Sequence, residues 1–146
     1  MFSGTILYKD VRVRSIYYSI YQQRNSDDYI AHLHFCRGWQ DQDAATVLRD
    51  IDKILSAKRI SQLLIYADLF GGRGSQSSIP MFVDQLGAIV NNYGSKGTFV
   101  VSGAGSFVLT ALNASCYQDK IWFFETEIQV KTTLSKWFIQ DTWKTS

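Results

Sequence analysis

Residues 62–69 read QLLIYADL, and no other stretch restricts the fold as tightly. The run is nearly continuous in apolar residues and lacks the alternation of a half-exposed strand. A strand of that kind needs cover on both faces, the usual state of a strand in a parallel sheet. Its flanks supply the cover. Upstream, WQDQDAATVLRDIDKILSAKRI places Ala44, Val47, Leu48, Ile51, Ile54 and Leu55 at helical offsets of three and four. Asp41 or Asp43 can cap that helix, and Lys58 and Arg59 sit near its C-terminal end, where positive charge is favoured. Downstream, Phe82, Leu86, Ile89, Val90 and Tyr93 form a second stripe. Ser78 or a neighbour caps it, Pro80 stands in its first turn and Gly94 ends it.

The remainder continues the alternation. Thr5–Tyr8 reads as a short leading strand, with Lys9-Asp10 as a turn. Val11–Tyr21 and Tyr29–Cys36 are β-branched and aromatic, separated by the polar turn QQRNSDD, and predict an antiparallel hairpin. Thr98–Ser102 is a short buried strand, Ser106–Tyr117 a short helix and Ile121–Glu125 a last strand. Thr126 and Gln129 form a TxxQ capping box that starts a helix running to about Phe138. Val130, Leu134, Trp137 and Phe138 are its inward face. After the leading strand the order is β-β-α-β-α-β-α-β-α. This is an α/β fold with a mixed, mostly parallel sheet entered by an N-terminal antiparallel hairpin, in a single domain over residues 1–146.

Bulk properties narrow the function. Hydrophobic residues make up 46% of the 146, enough for a packed core rather than disorder. The net charge of +2 and a densest basic run of only VRVR (11–14) argue against nucleic acid. The longest apolar stretches are too short to cross a bilayer, and neither a signal-peptide pattern nor a myristoylation pattern is seen. Two cysteines, Cys36 and Cys116, do not make a disulfide scaffold. These features predict a cytoplasmic protein without stable membrane insertion.

Trp39 leading into an amphipathic helix is one of several patterns that resemble the STAS domain family. The others are LLIYADL (63–69), a strand ending in Asp; VVSGAGSFVLTAL (100–112), a short strand, Gly turn and short helix; and KIWFFETEIQVKTTLSKWF (120–138), a terminal strand followed by a helix. More narrowly the chain is similar to the SpoIIAA-like, STAS/Sec14-related bacterial proteins, from about residue 11 onward. The resemblance implies a non-enzymatic protein-interaction or regulatory module of the anti-sigma-factor-antagonist type. Through the Sec14 relation it also implies a carrier or sensor of a small apolar or lipid ligand. Regulatory members carry an Asp-Ser-Ser-Gly signature before the second helix. Here the region reads GGRGSQSSIP: Ser77 and Ser78 lie near that place, but the Asp and the Gly are absent.

In YIAHLHFCRGW (29–39), His32, His34 and Cys36 recur at every second position. On a strand such residues share a face at about 6.7 Å intervals, so the ends of the row stand about 13 Å apart. Metal bonds of about 2.0–2.3 Å do not let both ends reach one ion. With Asp68 and Cys116 as the only further partners, no metal site is expected. Ala31, Leu33 and Phe35 should pack on the helices, leaving the histidine row on the less covered face.

The best binding candidate is a pair of loops. FGGRGSQSS follows Asp68, and SGAGS (102–106) follows the next strand. Parallel strands would bring both to the carboxyl edge of the sheet, where open α/β sheets take ligands. Asp68, Arg73, Ser75, Ser77, Ser78, Gly103, Gly105 and Ser106 are the candidate partner- or ligand-binding residues. Glycines turn backbone N–H groups toward an anion, and Arg73 adds charge. Neither loop carries the Gly-Lys-Ser/Thr of a P-loop or the full dinucleotide fingerprint, and GxSxG is absent. The reading is therefore a non-enzyme without cofactor or metal, working with a protein partner or as a homodimer. A small apolar ligand is the alternative and an enzyme the third choice.

Overall fold

The computed structural model describes residues 5–23, 26–71, 78–93, 97–101, 121–124, 126, 128–129 and 132. Its elements are β1 (Thr5–Val13), β2 (Ile16–Gln22), β3 (Asp28–Cys36), α1 (Asp41–Ser56), β4 (Gln62–Gly71), α2 (Ser78–Tyr93), β5 (Gly97–Val101) and β6 (Trp122–Phe124). The fold is α/β, with one mixed sheet in the order β1-β2-β3-β4-β5-β6. β1–β2 and β2–β3 pair antiparallel, so the first four strands are mostly antiparallel, and β3–β4 is parallel. β5 and β6 extend the sheet through parallel junctions.

The opening corrects one expectation. Lys9-Asp10 is not a turn, and Val11–Tyr21 is not one strand. β1 runs through Lys9 and Asp10, and the reversal falls at Arg14-Ser15. The β1–β2 register shifts on either side of Tyr8, which marks two bulges. Asp10 takes a left-handed φ of 47° there, and its N–H donates to Ser19 Oγ at 2.9 Å. A polar pair flanking a bulge looks, in sequence, like a turn. Arg14, with φ 55°, supplies the left-handed residue of the real reversal. The entry is thus a three-stranded meander, and the order through α2 is β-β-β-α-β-α.

Both helices lie on one face. Strands that follow chain order with right-handed crossovers send α1 and α2 to the same side. Ile16, Tyr18 and Ile20 of β2 join Ala31, Leu33 and Phe35 of β3 there. Leu63, Ile65, Ala67 and Leu69 of β4 complete the sheet side of the core. Against them α1 sets Ala44, Val47, Leu48, Ile51 and Leu55, and α2 sets Phe82, Val83, Leu86 and Ile89. The stripe periodicity is therefore met in both helices over the side chains described. Phe35, Trp39 and Phe82 form a triangle of rings that joins β3, its exit turn and α2. Phe35 stands 4.8 Å from each of the other two, and Trp39 and Phe82 are 6.1 Å apart, all edge-on.

The ends of the helices follow local chemistry. α1 is capped by Gln40 rather than by an aspartate. Asp43, in the first turn, reaches back to accept the Gln40 N–H at 3.1 Å, and Arg14 Nε lies 3.7 Å from its other oxygen. Pro80 falls in the first turn of α2, where its missing N–H costs nothing. The Thr126–Gln129 capping box is present: each backbone N–H donates to the other's side chain, at 3.3 and 3.2 Å. The helix expected over Ser106–Tyr117 and the body of the last helix lie outside the described residues. Among the described residues no helix is long and apolar enough to cross a membrane.

Two substitutions test this packing. Phe82→Ala removes one corner of the ring triangle and should cost about 3–5 kcal/mol in urea unfolding. Gly38 holds φ 88° in the turn after β3, and among the described residues no heavy atom beyond its chain neighbours stands within 4 Å of an added Cβ. Gly38→Ala should therefore cost about 1 kcal/mol from backbone strain alone. A neutral result at either position would contradict the core or the turn described.

Candidate functional site at the carboxyl edge of the sheet

The sheet face turned away from the helices is organised in rows by strand register. One row reads Tyr21, Ile30 and Leu64, the next Ser19, His32 and Tyr66, and the third Arg12, Tyr17, His34 and Asp68. The first row is buried, as are Ser19 and Tyr66. This face is therefore less bare than expected, and it opens mainly in the third row. Ser19 Oγ donates to Asp10 Oδ1 at 3.4 Å while accepting the Asp10 N–H, which closes the β1 side. His32 meets Tyr66 edge-on, with ring centroids 4.9 Å apart.

The third row carries the accessible chemistry. The Arg12 guanidinium carbon sits 5.8 Å from the centre of the Tyr17 ring, within reach of a cation–π contact. Across Tyr17 stands His34, whose side chain is 46% exposed, and across His34 stands Asp68, at 9%. His34 Nδ1 lies 3.4 Å from Asp68 Oδ2. The parallel β3–β4 register sets this contact, because it makes the two residues direct cross-strand neighbours. A shielded carboxylate orients the imidazole and leaves Nε2 to donate or accept a hydrogen bond. Chemically this is an oriented, half-exposed imidazole beside a tyrosine and an arginine.

Of the residues picked from sequence, Asp68 falls in this site at the carboxyl end of β4. Ser78 opens α2. Arg73, Ser75, Ser77, Gly103, Gly105 and Ser106 lie outside the described residues, as do Cys116, Trp137 and Trp143. β4 and β5 are parallel neighbours, so both leave at one edge, with Val101 beside Asp68 and Gly71 three residues further along β4. Cys36 is a free thiol at the end of β3. Among the described residues no three His, Cys, Asp or Glu side chains gather as a metal site. The sequence marks Asp68 as a candidate partner- or ligand-binding residue, but not its contact with His34. No spacing within the chain signals that contact, because the β3–β4 register sets it.

In comparison with known proteins, no family model matches the chain and no curated protein matches it significantly.

Burial pushes the His32 imidazole down to about 4. Asp68 and Asp10 pull the other way, while His34 adds to the lowering. A group whose folded value lies below its unfolded value of about 6.5 is protonated first in the unfolded chain. Stability should therefore fall as pH drops from about 6.5 to 4, by up to about 3 kcal/mol from this residue. Urea unfolding across that range should show the slope in the wild type. His32→Gln should flatten it, and an unchanged slope would contradict the burial of this ring.

Proposed function

We propose that the chain is a non-enzymatic regulatory module, of the STAS anti-sigma-factor-antagonist type, that engages a protein partner through the carboxyl edge of its sheet. In this reading the architecture is the STAS/SpoIIAA-like one, mostly parallel beyond its entry meander. The observation that carries the proposal is the convergence of exits. β3, β4, β5 and β6 run parallel, so their carboxyl ends share one edge. The chain segments holding Arg73, Ser75 and Ser77, and those holding Gly103, Gly105 and Ser106, depart from neighbouring points of it. The His34–Asp68 pair lies on the same edge. Loops grouped on a rigid scaffold are the usual place for recognition.

The packing weighs against a carrier of apolar ligands. A crevice between α2 and the sheet would need the volume that Phe35, Trp39 and Phe82 fill with their mutual contacts. The partner in this proposal is a second protein or a second copy of the chain.

Native mass spectrometry of the protein from its own cells tests the reading. The expected result is a complex of fixed stoichiometry with another polypeptide or a second copy. Arg73→Glu should abolish it while circular dichroism stays unchanged. A bound small molecule released only on denaturation, with no protein complex, would overturn the proposal in favour of the carrier.

A further inference from the structure

A second surface, remote from the strand rows, carries chemistry of its own. α1 and α2 both follow parallel strands, so they run side by side in the same direction. At their C-terminal ends the Tyr93 hydroxyl donates to Asp52 Oδ1 at 2.8 Å, and the Asp52 carbonyl oxygen lies 3.1 Å away. Next to this tie the helices part into an open groove of about 310 Å³. Ala45 and Ala88 are too small to close it, and the nearly buried Leu48 and Ile89 form part of its lining. The volume is at the lower end of small-molecule sites, roughly 300–1,000 Å³.

Four polar side chains line the groove, Arg49, Asp52, Gln85 and Asn92, and the first three carry the argument. Arg49 and Asp52 stand three residues apart on α1, which puts opposite charges on one helix face. Yet they form no ion pair, and among the described residues Arg49 has no other polar partner. The third is Gln85, whose Oε1 is shut off from solvent and, among the described residues, accepts no hydrogen bond. A buried acceptor without a donor is unfavourable and uncommon. The last torsion of a glutamine is soft, so rotation of the amide is the movement by which that oxygen would meet a bound N–H. The groove thus offers a cationic fork, an anion and an amide acceptor beside an apolar wall.

We propose that the groove between α1 and α2 binds a small zwitterion of the amino-acid or dipeptide class. The ligand's carboxylate meets the Arg49 guanidinium, its ammonium meets Asp52, and an N–H is accepted by Gln85 Oε1. Its side chain lies against Leu48 and Ile89. This site is independent of the partner-binding edge, so either assignment stands without the other.

The test is an NMR titration of the ¹⁵N-labelled full chain with glycyl-L-leucine. Saturable shifts are expected at Arg49, Asp52, Gln85 and Ala88 at millimolar ligand. N-acetyl-leucine lacks the ammonium and leucinamide lacks the carboxylate. Each should bind about tenfold more weakly or worse, the loss expected for one charged hydrogen bond. Arg49→Gln, at an exposed position, should weaken glycyl-leucine binding to the same degree with the rest of the spectrum unchanged. Asp52→Asn serves as a second variant, its fold read from the same spectrum. No saturable shift at the groove, equal binding of the three compounds, or undiminished binding by Arg49→Gln would overturn the assignment.

Discussion

The parallel junction between β3 and β4 is the constraint on which the rest of the molecule depends. Its register sets Ala31 beside Ile65 and Leu33 beside Ala67, and this aligns the apolar faces that α1 and α2 cover. The same register sets His32 beside Tyr66 and His34 beside Asp68 on the opposite face. Side chains alternate with a period of two, so a slip of one residue would exchange the faces of β4. Leu63, Ile65 and Leu69 would leave the core, and Asp68 would enter it. Burial of aliphatic side chains on one face thus enforces the His34–Asp68 contact on the other.

That coupling separates the molecule into surfaces with different demands. The helix-covered face is closed by aromatic and aliphatic packing and serves stability. The carboxyl edge collects strand ends and helix starts, so residues distant in the chain become neighbours there. The outer side of the helical layer is a third region. There two alanines leave a gap that the larger residues of the same stripes do not fill. Recognition by the edge and by this groove would draw on separate residues.

Elements with strong periodicity were legible in the chain itself. The stripe Ala44, Val47, Leu48, Ile51 and Leu55 marks α1, and the apolar run around Ile65 marks β4, because hydrophobic spacing is set by local helix or strand geometry. The TxxQ box at Thr126 was equally readable, since its two hydrogen bonds join residues three apart. The first reversal was not. Lys9-Asp10 has the composition of a turn, but Ser19 captures the Asp10 N–H and converts the kink into a bulge within a continuing strand. Asp68 was readable as a candidate through its polar place at the end of an apolar strand. Its pairing with His34 was not, because no spacing within the chain encodes a cross-strand neighbour.

The sequence by itself determined that α1 and α2 are helices, that β3 and β4 are strands, and which stripe of each helix faces the core, because 3.6- and two-residue periodicities are local. It also placed Asp68 at a strand end. Only the tertiary structure decided that β1, β2 and β3 form a meander and that both helices share one face. It alone brought His34 to Asp68 and opened a groove between Arg49 and Gln85. Those outcomes depend on strand order, register and the approach of helices, which are set when separate elements bury surface against one another.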